Sequence, residues 1–365
     1  MILQPAPPTT PGPDLLGAIE LYAREVTPEL PPVAAVGGWL ATGLLDVTSD
    51  LAALDGEGFW VVVLPYEGTP VCARFAHHRP MVGRPARTWV GPRADAWRSS
   101  LDRSAFEAGV DTIRKAIAAG DVYQVNLTRR LSAPIPPDAD VLALGTALAG
   151  GNPAPHAAVV RLPAQGVHVA SASPERYLRR QGRRVTSQPI KGTASATDGF
   201  LAKDRAENVM IVDLVRNDLG RVCEWGSVEV PALCAVEQHP GLAHLVSTVE
   251  GRLRPDVGWA ELLAATFPPG SVTGAPKLAA MEVIRRLEPV ERGPYCGAVG
   301  WVDADAGTGD LNVAIRTFWF DDGELHLGTG GGITWDSDPA GEWAETELKA
   351  RRLLAVASAT LAGAR

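Results

Sequence analysis

The sequence predicts an α+β fold of layered antiparallel β-sheets, sandwich-like and flanked by helices. Short turn-bounded runs rich in β-branched and aromatic residues fill the N-terminal side, and amphipathic helices stand apart further on. Strands and helices do not alternate one for one, which disfavours a Rossmann or TIM arrangement.

The proline-rich opening, residues 1–12, reads as a flexible lead-in. Residues 33–40 (V-A-A-V-G-G-W-L), 59–65 (F-W-V-V-V-L-P) and 71–76 (V-C-A-R-F-A) read as strands of a portion spanning 13–96. An aperiodic Pro/Gly/Arg-rich stretch at 83–96 places a boundary near 97, so that 97–365 forms a second portion, the two making one intertwined fold. Ser104 and Glu107 stand at capping-box spacing ahead of Phe106, Val110, Ile113 and Ile117, with Gly120 as stop, which predicts a helix over 104–120. Residues 167–172 and 177–190 read as strands, the latter folded about Gln181-Gly182 into a hairpin whose arms carry Arg179, Arg180, Arg183 and Arg184 as a solvated face. Helices are predicted from Asp204 to Val222, from Leu278 to Leu287 behind Pro276, and from about Glu342 to Leu361. Strands at 295–302 and 311–320 and a hairpin turn at Asp322-Gly323 complete the order.

At 365 residues, 46% hydrophobic and 21% charged, the chain can bury a sizeable core. A net charge of −8 with no long Lys/Arg run argues against nucleic acid as a partner, while local cations still permit a small anionic substrate. The N-terminus lacks a basic region ahead of an apolar one, and no apolar run is long enough to span a bilayer. Cys72, Cys223, Cys234 and Cys296 are scattered; they read as buried small hydrophobes in a reduced, cytoplasmic protein.

Several stretches bear chemistry. Asp204 and Glu207 stand three apart on one predicted helix, Glu342 and Glu345 three apart on another, so two facing helices would present carboxylates to one hard cation. Spacing alone leaves open that Glu345 only pairs with Lys349 on the surface. The glycines of L-G-T-G-G-G-I-T (327–334) let backbone amides approach an anion, or simply make a turn. T-G-A-P-K (273–277) opens a helix whose free N–H groups favour anions. Arg316 falls late in an apolar strand and calls for a partner. Glu175 precedes Lys191 by 16 residues across the predicted hairpin, an arrangement open to an acid and nucleophile pair or to two solvated loop residues. His239 and His244 have no metal-ligand spacing on a shared helix.

In order, Y-Q-V-N-L-T-R (123–129), S-P-E-R (173–176), Q-P-I-K-G-T (188–193), E-N-V-M-I-V-D-L-V-R-N-D-L (207–219), H-L-V-S-T-V-E-G (244–251), P-G-S-V-T-G-A-P-K (269–277), Y-C-G-A-V-G (295–300), A-I-R-T (314–317), G-G-G-I (330–333) and E-T-E-L-K-A (345–350) resemble the chorismate-utilising enzymes. The resemblance implies the anthranilate synthase component I type of fold. It implies Mg²⁺ held by Glu207 and Glu345 with Glu342 as an auxiliary ligand, gripping the ring carboxylate, and Asp204 as a further acid nearby. It implies substrate contacts from Gly192, Thr193, His244, Thr273, Lys277, Tyr295, Arg316, Gly330, Gly331 and Gly332.

Within the family, water-adding members carry a lysine where this chain has Gln124, which disfavours isochorismate or salicylate synthesis. Anthranilate synthases carry alanine where this chain has Lys191, the form typical of aminodeoxychorismate synthase component I. The resemblance therefore implies Lys191 as nucleophile and Glu175 as acid in making 4-amino-4-deoxychorismate from chorismate and ammonia, for para-aminobenzoate and folate synthesis. Lys191 would then need desolvation or a neighbouring cation to free its amine. No G-x-C-x-G elbow surrounds any cysteine, so a separate glutamine amidotransferase partner is expected to supply ammonia. Anthranilate synthase component I is the alternative enzyme, and a catalytically silent scaffold subunit the alternative of another class.

Overall fold

The computed structural model describes residues 30–81, 88–194, 200, 202–239 and 242–361. The lead-in at 1–12 lies outside them. Strands β1 (Val33–Val36), β2 (Trp39–Thr48), β3 (Phe59–Leu64), β4 (Val71–Pro80), β5 (Trp89–Val90) and β6 (Arg98–Ser99) come first. Helix α1 (Arg103–Ala119), β7 (Gln124–Pro134), α2 (Val141–Gly151), β8 (His156–Leu162) and β9 (Val167–Ser173) follow. Next are β10 (Arg176–Gln181), β11 (Arg184–Gln188), β12 (Ile190–Ala194), α3 (Ala202–Gly220), β13 (Glu229–His239) and β14 (Leu242–Arg252). The chain continues through α4 (Trp259–Thr266), β15 (Gly274–Ala275), α5 (Lys277–Leu287), β16 (Ala298–Asp303), β17 (Thr308–Val313), β18 (Thr317–Asp321) and β19 (Glu324–Ile333). Helix α6 (Pro339–Ser358) and β20 (Thr360–Leu361) close it.

The fold is α+β, and every pairing among the named strands is antiparallel. Strands before residue 97 are built into the same sheet system as later ones: β3 pairs with β16 and β1 with β8. Three apolar clusters form the core. One lies around Trp60, Leu178, Leu219 and Trp301, one between α2, α6 and Trp89, and one between α1, α5 and β7. Among the described residues no helix is long and apolar enough to cross a membrane.

Local chemistry explains most boundaries. Gly120 ends α1 in the left-handed region, φ 82°, as its position in the sequence predicts. The cap at the other end is Asp102, whose carboxylate accepts from the Ala105 N–H, rather than Ser104; Glu107 instead pairs with Arg103 one turn back. Asp322 and Gly323 both have positive φ, as a two-residue hairpin loop requires. The run read as one strand over 311–320 is two. Arg316 sits between β17 and β18 at φ 51°, because β18 leaves to pair with β9 and the Ala172 N–H takes the Arg316 carbonyl. The hairpin arginines are engaged rather than merely solvated: Arg180 pairs with Asp55, Arg183 with Glu224 and Arg184 with Glu250. Three cysteines are buried, and Cys234 is half-buried.

Candidate functional site

The hairpin of β10 and β11 builds the centre. Arg176 pairs with Gln188, so Glu175 and Pro189 leave the two arms side by side, and the Ile190 N–H donates to the Glu175 carboxylate. Beyond it, Lys191 of β12 pairs with Leu245 of β14, whereas Thr193 pairs with His244. Gly192 is the extra residue of this bulge, at φ 74°, a conformation that costs glycine little. A Cβ there would also stand 2.9 Å from the Asp204 Cβ on α3. The bulge turns the Lys191 side chain inward, where it is 13% exposed.

Glu175 is 3% exposed. Burial pushes its carboxyl up to about 7, against the Ser271 hydroxyl, the Lys191 charge and the Ile190 N–H, all of which favour the carboxylate. A cavity of about 20 Å³, room for one water, lies behind it among Tyr177, Ser187, Asp218, Thr266 and Ser271.

Helices α3 and α6 bring the acids. The Lys191 ammonium stands 4.0 Å from Glu207. Burial pushes the Glu207 carboxyl up; Lys191 opposes this, and Glu345 and Asp204 add to it by repulsion. Glu342 is pushed up by burial as well, against a hydrogen bond from Ser337 and with Glu345 adding to the shift. Burial also raises Glu345, but the Lys349 ammonium 2.7 Å away, with Lys203 and Lys191 beyond, outweighs it and holds that carboxyl below the usual range. Helix α3 is anchored by Asn208, wholly buried, whose amide donates to the Leu245 carbonyl and accepts from Ser247. Sequence reasoning passed over Asn208; its place beside Glu207 was the available signal.

Gly330, Gly331 and Gly332 lie in β19 against β7, and the pairing of β19 with β18 stops at Leu327, which leaves the glycines without that neighbour. A Cβ on Gly331 would stand 3.1 Å from Glu342 Oε2, and one on Gly332 would stand 3.3 Å from Lys191 Nζ and inside the Gln124 amide. Acids and amine thus reach around the same strand end because it carries no side chains. Tyr295 is buried, its ring packed over Gly328 two strand steps away on the Gly332 face. Arg316, expected to have a partner, has no carboxylate within ion-pair distance among the described residues. Burial and the neighbouring Arg352 guanidinium, two turns beyond Glu345 on α6, both disfavour its charge.

Two expected contacts belong elsewhere. The Lys277 ammonium gives its three N–H groups to Asp218 Oδ2 at 2.6 Å, Pro268 O at 2.8 Å and Thr266 O at 2.9 Å, so none is left for an anion cradle. The Thr273 hydroxyl donates into the same turn, to the Pro269 and Gly270 carbonyls at 3.3 Å. Both hold the loop that carries Ser271 to Glu175. His244 is buried in β14 opposite Thr193, whose side chain, like that of His239, lies outside the described residues. The cation suggested for Lys191 is not what faces it; its nearest charges are carboxylates.

The donor chemistry fits a hard cation: Glu207 of α3 and Glu342 of α6 are each pushed up by burial, with repulsion from Glu345 adding to it. Among the described residues no three His, Cys, Asp or Glu side chains gather into a ready cage. A pair of carboxylates completed by water and the substrate's own anion is what Mg²⁺ ordinarily takes.

Residues 76–355 match the family model of the chorismate binding enzymes. The chain belongs to that family. It is 43% identical over 289 residues to anthranilate synthase component 1 of Streptomyces coelicolor, covering 74% of this chain and 55% of the relative. It is 42% identical over 271 residues to aminodeoxychorismate synthase component 1 of Klebsiella aerogenes, covering 71% of this chain and 59% of the relative. The match thus spans little more than half of these relatives' length. The crystal structure of anthranilate synthase component I from Streptococcus pneumoniae shares the fold, with a TM-score of 0.75 at 24% identity over 96% of this chain and all of that one. The α+β architecture expected from the sequence is therefore that of the chorismate-utilising family.

Two outcomes are expected. Lys277→Met strands a buried carboxylate at Asp218 and lowers stability on the order of 3–5 kcal/mol in urea unfolding, and adding Asp218→Leu restores most of it. Glu175 ionises near 4.5 when unfolded and near 7 when folded, so its penalty is absent below 4.5 and complete above 7. Glu175→Gln should therefore raise the unfolding free energy by roughly 3 kcal/mol at about pH 8.5 and leave it unchanged at about pH 4, as read from urea midpoints.

Proposed function

We propose that this protein is an aminodeoxychorismate synthase component I, converting chorismate and ammonia to 4-amino-4-deoxychorismate on the way to para-aminobenzoate. The observation that carries the reading is the meeting of Lys191 with a carboxyl held up to about 7 across one hairpin. Around neutral pH Glu175 keeps a large share of its proton and can give it away, as a general acid must.

In the first step the Lys191 nitrogen forms a bond to ring C2, both ring double bonds shift by one position, and the C4–O bond breaks. The departing hydroxyl takes the Glu175 proton and leaves as water. In the second, ammonia forms the C4–N bond, both double bonds shift back, and the C2–N bond breaks to return Lys191, with the excess ammonia proton restoring Glu175. Two allylic displacements replace one difficult one. Burial of Glu175 and the inward turn of Lys191 keep competing water away from the covalent stage.

Glu207 and Glu345, with Glu342 at hand, would hold Mg²⁺, which when bound neutralises the ring carboxylate of the substrate. Arg316, with no carboxylate of its own, and the glycine edge of β19 suit the side-chain carboxylate. Gly192 and His244 shape the wall beside Lys191. A separate glutamine amidotransferase subunit is proposed as the ammonia source; the relatives' names include the word component.

Incubation with chorismate, Mg²⁺ and an ammonium salt is expected to yield 4-amino-4-deoxychorismate without pyruvate. Anthranilate with stoichiometric pyruvate would instead assign the reaction of the Streptomyces relative. Lys191→Ala is expected to lose at least about 100-fold in turnover, with chorismate affinity within about threefold of wild type. Full turnover by that variant removes the nucleophile.

A further inference from the structure

Beside Gly332, two groups with unmet hydrogen-bonding capacity converge. Gln124 is 1% exposed, and its side-chain Oε1 is buried with no hydrogen-bond partner among the described residues. Its amide nitrogen stands 2.0 Å from where a Gly332 Cβ would be, and Lys191 Nζ lies 3.3 Å from the same point, so a half-turn of the amide, which exchanges its two ends, puts Oε1 on the side of the amine. The Lys191 amine makes no hydrogen bond to the described residues, and its nearest carboxylate oxygen, on Glu207, is 4.0 Å away. A stranded buried acceptor costs about 1–3 kcal/mol. The rest of the β7 end is well satisfied: the Asn126 N–H donates to Thr273, the Tyr123 N–H to Ala275, and Thr128 N–H to Glu288. The deficit here thus falls on the one side chain whose amide end lies beside the amine.

We infer that Gln124 is a positioning residue for Lys191: in the reacting complex its Oε1 accepts one N–H of the amine, which directs the nitrogen lone pair toward the ring. The inference rests on the reading of Lys191 as the nucleophile. An amine held by one acceptor has its lone pair fixed relative to that bond, whereas a free one samples orientations that do not react. Gly332 is the complement of this arrangement, since any side chain there would occupy the space of the amide and crowd the amine. A neutral amide provides the acceptor without adding another carboxylate to a site that already holds Glu175, Glu207, Glu342 and Glu345.

The test mixes enzyme with chorismate and Mg²⁺ in the absence of ammonia, quenches in acid and follows intact mass. The covalent adduct weighs the enzyme plus chorismate less one water. For Gln124→Met, similar in length and without an acceptor, adduct formation should slow on the order of 10–100-fold while chorismate affinity stays within about twofold. Its melting temperature should hold or rise, because a stranded acceptor has been removed. Gln124→Glu, which keeps an acceptor at the same place, is expected to form adduct faster than Gln124→Met. Adduct formation by Gln124→Met within about twofold of wild type overturns the inference alone. A lowered melting temperature with parallel loss of chorismate binding makes Gln124 a packing residue and also overturns it. Absence of adduct in the wild-type enzyme takes down the nucleophile reading itself.

Discussion

The desolvation of one carboxyl governs the site. Glu175 is placed where water scarcely reaches, between the end of β9, the first residue of β10 and the loop leading to β15. In that position ionisation is expensive, and the group keeps its proton to about neutral pH although a lysine and two hydrogen-bond donors favour its charge. The loop that closes over it is held by the buried Lys277 ammonium, which ties Asp218 of α3 to the carbonyls of Thr266 and Pro268. A cation that looks like ligand-binding machinery in the linear sequence thus acts one step back, by setting the environment of the acid.

The opposite wall follows a different logic. Carboxylates from α3 and α6 gather around a strand end stripped of side chains, where burial, with repulsion from Glu345 adding to it, raises Glu207 and Glu342. At Glu345 the nearby lysines, Lys349 foremost, outweigh burial, yet both members of that pair are nearly half exposed, where such a bridge contributes little. Stability therefore does not explain why the acids are there. The proposed role of holding a cation against an anionic ring carboxylate would explain them, and the same composition makes a neutral glutamine a fitting neighbour for the Lys191 amine.

Features written in short range were legible in the sequence. The stop at Gly120, the turn at Asp322-Gly323 and the return of the chain from Glu175 to Lys191 all depend on residues within one turn or one hairpin. That Glu207 comes within reach of Glu345 also followed from helical spacing, once the two helices were brought together by the sheet. Non-local determinants were not legible. Helix α2, V-L-A-L-G-T-A-L-A-G-G, is buried nearly all round and so shows no amphipathic period. Arg316 reads as strand because its neighbours are apolar; its kink is imposed by β9, a partner far away in sequence. The acceptors of Lys277 lie on two segments, the turn after α4 and, 59 residues distant, α3, and no local pattern announces them. The proposed place of the chain within the family likewise rests on single side chains such as Lys191 and Gln124 rather than on the fold.

The most direct measurement is of the Glu175 proton itself. Infrared difference titration, with Glu175→Gln as the reference that lacks the band, reports the carboxyl C=O stretch of this one group between acid and alkaline buffer. The account requires the band to persist into the neutral range and to vanish with a midpoint near 7. A midpoint near the ordinary 4.5 would show a carboxylate without a proton to give, and would contradict the acid at the centre of the site.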